Sequence, residues 1–188
     1  LLFVATTANS IAFLEQAAGQ LGLTGVTATR ANFNLADLTQ ARMAKGDFSR
    51  AMFYGAQMSG ADLSTTNLTE TLMQTARLTS AKLTGAVLDR AVMRDVIANN
   101  ADFRNSSLAQ TNLNGAHLGR SLFDGAIITY AGFIKAKASK ASFVDAKISL
   151  TDFYGANLRR ARFAGATLTG NRFTTAATKG VDFNKANM

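Results

Sequence analysis

The sequence has no cysteine, no proline and no tryptophan, and a single histidine in 188 residues. Without cysteine there is no disulfide framework and no thiolate metal site, and the redox compartment is left open. His117 stands alone with no partner motif around it, so a multi-histidine metal site is excluded and the ring reads as an exposed stacking residue. Acidic residues are scarce, 12 against 20 basic ones, and too spread out to supply a catalytic carboxylate pair. No glycine-rich phosphate loop or dinucleotide fingerprint is present. No apolar run reaches the roughly 18–20 residues that a membrane-crossing helix requires. These absences argue against an enzyme and against a resident cofactor or metal. The net charge of +8 points to acidic company: nucleic acid, anionic lipid or an acidic protein surface.

What is present is a five-residue period. Residues 31–63 read ANFNL, ADLTQ, ARMAK, GDFSR, AMFYG, AQMSG, ADL, each unit opening on a small residue with a large apolar one two positions later. The phase still holds at Phe103, Leu108 and Leu113, and again at Phe163, Leu168 and Phe173. A period of five fits neither a helix nor a flat strand. The chain must therefore turn at every unit, and four units make a square coil in which residues twenty apart stack. One inward column then reads Leu23, Met43, Leu63, Leu83, Phe103, Phe123, Phe143, Phe163, Phe183, and the opposite one Phe33, Phe53, Met73, Met93, Leu113, Phe133, Phe153, Phe173. The two columns between them are mostly aliphatic, with one wall thin at Ala98 and Ala138. The small residues opening each unit must point inward at the corners, and glycine closing many units suits a turn with positive φ. About eight coils at ~4.8 Å make a rod of about 40 Å.

Units such as ADLTQ, ADLST, TNLTE, ADFRN, TNLNG and ANLRR resemble the pentapeptide repeat family. The resemblance implies an all-β solenoid, a right-handed quadrilateral β-helix, over residues 21–188. Residues 1–20 form a separate lead-in. There LLFVA reads as a short extended segment without the basic flank of a targeting sequence, and residues 10–21 read as a capping helix, with Ile11, Leu14 and Ala18 on one face and Gly22 as its stop. Family members include DNA-mimicking inhibitors of bacterial gyrase, secreted effectors, cyanobacterial differentiation proteins and thylakoid lumenal proteins. The repeat carries no catalytic or cofactor residues, and the resemblance points to bacterial cytoplasm or thylakoid lumen as the compartment.

Function must then lie on the outward residues. Arg42, Asp62, Lys82 and Asp102 alternate in charge along one column and predict a solvated ladder of ion pairs. Arg120, Lys140 and Arg160 stack in a basic column, with Lys135, Lys137 and Arg159 on the same coils. Met52, Leu72 and Val92 place an apolar stripe where a typical unit has Asp, Asn or Arg, which suggests a contact surface. The expected function is a non-catalytic scaffold, a rigid rod docking on partner proteins with acidic or apolar surfaces. Gyrase-type mimicry needs an acidic surface and is disfavoured by the basic charge. Direct binding of nucleic acid or anionic membrane is the other alternative, although no aromatics interleave with the basic residues. The last unit shows no cap, so its edge is expected to be closed either by further residues or by another chain, as in end-to-end pairing or another contact at the C-terminal coil.

Overall fold

The computed structural model describes residues 22–188, so the expected helix over 10–21 lies outside the described residues. The described chain is a right-handed four-sided β-helix. A turn recurs every five residues, and each outward residue pairs in parallel with the one twenty positions on, from Gly22 with Arg42 to Thr167 with Asn187. We number the walls in chain order by their central residues: the first through Leu23, the second through Ala28, the third through Phe33, the fourth through Leu38. The second wall carries the only regular strands among the described residues, β1 (Ile127–Thr129), β2 (Lys147–Ser149) and β3 (Thr167–Thr169), paired in parallel.

The backbone explains the period. On each wall the central residue donates its N–H to the next coil (Leu23 to Arg42 O, 2.7 Å) and the residue before it donates back (Asp47 to Val26 O, 2.9 Å). At the corner every fifth residue, from Gly25 to Lys185, adopts φ between 50° and 74°. Most of these residues are not glycine. The corner is imposed by coil-to-coil bonding and borne by Arg, Lys, Thr, Gln and even Leu, although the left-handed region costs a residue with a Cβ about 1–2 kcal/mol.

From Ala31 to Leu168 nearly all of the residues predicted to face inward are buried, whereas in the last coil Phe173 and Phe183 are half-buried and Thr178 is exposed. Ala41, Ala51, Ala61 and Ala81 are fully buried, as are Phe53, Phe103 and Phe123. Where Thr or Ser replaces the opening Ala, the hydroxyl finds a backbone carbonyl: Thr66, Thr71, Ser106 and Ser121 each donate three residues back at 2.6–2.7 Å, and Thr111 donates to Leu88 O on the coil below at 2.9 Å. Phenylalanines stack face to face along the first wall, with Phe103, Phe123, Phe143, Phe163 and Phe183 at centroid spacings of 4.6–5.4 Å. They meet those of the third wall edge to face, Phe143 lying 6.2 Å from both Phe133 and Phe153. Stacked and edge-on pairs of this kind add about 0.5–1.5 kcal/mol each beyond area burial.

Candidate functional site

The preference for Asp or Asn just before each central residue has a local cause. Its side-chain oxygen accepts the backbone N–H two residues on, as Asp37 does from Thr39 (3.0 Å), Asp62 from Ser64 (3.0 Å) and Asn112 from Asn114 (3.1 Å). This Asx turn closes the unit against its own corner. A second device serves some units that lack it. Asn99 accepts from Gly119 N at 2.9 Å, Asn114 from Ile134 N at 2.9 Å and Asp124 from Val144 N at 3.0 Å, each reaching up one coil.

The same geometry corrects the expected charge ladder. Arg42, Asp62, Lys82 and Asp102 do stack. However, among the described residues no ion pair joins them. Asp62 is turned to its own Ser64, and Asp102 binds Arg104 of its own unit through both oxygens, at 2.9 and 2.7 Å. The cross-coil bridges lie elsewhere: at the corner between the second and third walls Glu70 accepts from Arg50 at 2.8 Å and Arg90 at 3.2 Å, and on the third wall Asp152 accepts from Arg172 at 3.3 Å. Hydrogen bonds from Arg50, then Arg90, hold Glu70 below the usual carboxylate value, and hydrogen bonding from Arg104 does the same for Asp102.

Met52, Leu72 and Val92 form one column on the third wall, paired coil to coil. They cover one another in part, so that Leu72 is 38% exposed and the other two are half-buried. The stripe has further apolar neighbours, of which the sequence reading passed over Leu35, Tyr130 and Leu150. Leu35 is 73% exposed and lies over Gly55, beside Tyr54 on the same wall. Higher up, Tyr130 (61%) and Leu150 (49%) follow each other at the second–third corner, with Ile127 exposed on the adjoining wall. The apolar positions thus occupy the third wall and the corners on either side of it, with Ile127 on the second wall. Tyr130 and Leu150 are twenty apart, so the coil register could have found them.

Arg120, Lys140 and Arg160 stack at the corner between the fourth and first walls, diagonally across from the corner that carries Tyr130 and Leu150. Lys137 and Arg159 lie on the flat of the fourth wall, and Lys135 stands at its far corner, outside the column but bounding the same face. All six are exposed. Lys137 Nζ lies 3.0 Å from His117 Nε2. His117 is half-buried against Lys137.

Among the described residues no group of three or more His, Cys, Asp or Glu could hold a metal, and no helix is long and apolar enough to cross a membrane. The chain is similar in fold to HetL, a pentapeptide repeat protein involved in heterocyst differentiation regulation from the cyanobacterium Nostoc sp. strain PCC 7120. That match has 24% identity and a TM-score of 0.52 over 89% of this chain and 86% of HetL. QnrB1, a plasmid-mediated fluoroquinolone resistance protein, aligns at 18% identity over 86% of this chain and 89% of its own, with a TM-score of 0.49. The pentapeptide repeat protein Rfr23 of the cyanobacterium Cyanothece 51142 aligns at 19% identity over 89% and 87%, with a TM-score of 0.36. A comparison with curated protein sequences found no match. The family model for pentapeptide repeats matches residues 23–69, 73–110, 106–145 and 146–188. The chain belongs to the pentapeptide repeat family.

Proposed function

We propose that this protein is a non-catalytic interaction scaffold, a rigid rod that docks on a partner protein through the apolar edge formed by Met52, Leu72 and Val92. The observation that carries this reading is the stripe itself. Three successive coils replace the outward Asp, Asn or Arg with an apolar side chain in one paired column, and Leu35 and Tyr54 extend it across the wall. Contiguous apolar surface of this kind on a soluble fold marks a contact site. The core is filled by close-packed rings, so the wall is a stiff platform and little ordering entropy opposes docking. The basic column is a second contact surface for an acidic partner.

The test is affinity capture from the source cell after nuclease treatment, at low and high salt. A protein partner held by the wild type and lost from Met52→Asp/Leu72→Asp supports docking through the edge. Recovery of nucleic acid alone, or a partner indifferent to the double substitution, overturns it.

A further inference from the structure

The fourth wall carries an arrangement that the apolar edge does not use. From His117 to Gly180 its outward positions include Arg120, Lys137, Lys140, Arg159, Arg160 and Lys179, and no carboxylate. None of these six cations pairs with an acid within 4.0 Å among the described residues. With coils at ~4.8 Å, the like charges repel one another modestly. Gly119 opens a notch in this wall, bordered by Asn99 below, Ser139 above, and Arg120 and Lys140 at the corner. The Asn99 carboxamide oxygen accepts the Gly119 N–H at 2.9 Å. Its NH2 group and the Ser139 hydroxyl are left as neutral polar groups beside two cations.

We propose that this wall docks an extended acidic polypeptide segment, seating one carboxylate in the Gly119 notch between Arg120 and Lys140. Such a segment would relieve the stacked repulsion. The cationic plate spans four coils, about 15 Å, which matches roughly five residues of extended chain. Two other polyanions fit less well. The tyrosines lie on the third wall and at the second–third corner, so no ring stands among these cations to stack a base. No exposed large apolar side chain stands on this stretch of wall to enter a bilayer. Because the plate begins at His117 and the Met52–Leu72–Val92 stripe ends at Val92, the two lie on different coils as well as on different walls, so both surfaces can be occupied at once, which makes the rod an adapter between two partners.

The test uses the full chain and a fluorescein-labelled octaglutamate peptide, read by anisotropy, with a mixed-sequence DNA duplex and phosphatidylserine vesicles as competitors. Arg120→Glu/Lys140→Glu should weaken peptide binding about tenfold. Arg30→Glu/Lys45→Glu, the same change in net charge on other corners, should weaken it less than about threefold. Gly119→Ala narrows the notch without altering charge, its Cβ meeting the Asn99 oxygen at 3.0 Å, and should also lose affinity. Circular dichroism confirms that each variant is folded. Equal loss in the control pair, no effect of Gly119→Ala, or tighter binding of duplex or vesicles than of peptide overturns the proposal. Met52→Asp/Leu72→Asp should leave peptide binding unchanged, so the two surfaces are judged separately.

Discussion

At the scale of the residue, the corner is where this sequence departs most from intrinsic preference. Thr75 is β-branched and sits at φ 60°, a conformation that such residues rarely adopt. Its hydroxyl bonds only to the adjacent Gln74 carbonyl, at 2.6 Å. Thr75→Asn, which tolerates the left-handed region, should stabilise the rod by about 0.5–1 kcal/mol, read from the denaturation midpoint. Gly115 shows the reverse. At φ 72° its missing Cβ leaves room for the Asp95 carboxylate, which would collide with one. Gly115→Ala should therefore cost about 1–2 kcal/mol by the same measurement. The lowered acidities of Glu70 and Asp102 predict a pH dependence. A carboxylate depressed in the folded state contributes stability above its ordinary value, 4.5 for Glu and 3.8 for Asp, and loses it as pH falls through the lower folded value. The melting temperature should thus fall below about pH 4.5, and less steeply in Glu70→Gln. Glycine at unit ends was legible as a sign of positive φ. That Thr, Arg and Leu share the same corner was not, because the cost is overruled by bonds to coils twenty residues away.

At the scale of the element, wall and corner have different origins. The phenylalanine walls were legible directly, since stacking at twenty is arithmetic. Phe143 lies between Phe123 at 4.9 Å and Phe163 at 4.6 Å, with two edge contacts from the third wall. Phe143→Ala should cost about 3–5 kcal/mol. In a rod whose coils touch only their neighbours, the same change should also broaden the calorimetric transition. The second–third corner above β1, β2 and β3 was not legible. There the Asn171 carboxamide accepts Thr151 N–H at 2.9 Å and donates to Ile148 O at 2.9 Å, standing in for a turn hydrogen bond. Nothing in the five-residue pattern announces an Asn in a position normally held by Ala. Asn171→Ala leaves both groups without that partner and should cost about 1–3 kcal/mol, with faster hydrogen exchange at Thr151.

At the scale of the whole molecule, the candidate surfaces were legible as columns but not as relations between columns. The Met52–Leu72–Val92 stripe and the Arg120–Lys140–Arg160 column follow from register alone. The exposure of Leu35 and the Gly119 notch required the coil to be closed in space. That closure makes the repeat an angular index. Twenty residues return the chain to the same wall, so each unit of five advances the rod by about a quarter turn. Removing residues 96–100 would keep every side chain in phase yet rotate all that follows, bringing the basic column onto the third–fourth corner. Removing 96–105 would set it on the second–third corner, in line with Arg50, Glu70 and Arg90 and beside the apolar stripe, and two ligands that bind independently should then interfere with each other. Insertions and deletions in such a chain steer, so a change of length that leaves every contact type intact can still rewire what the rod connects.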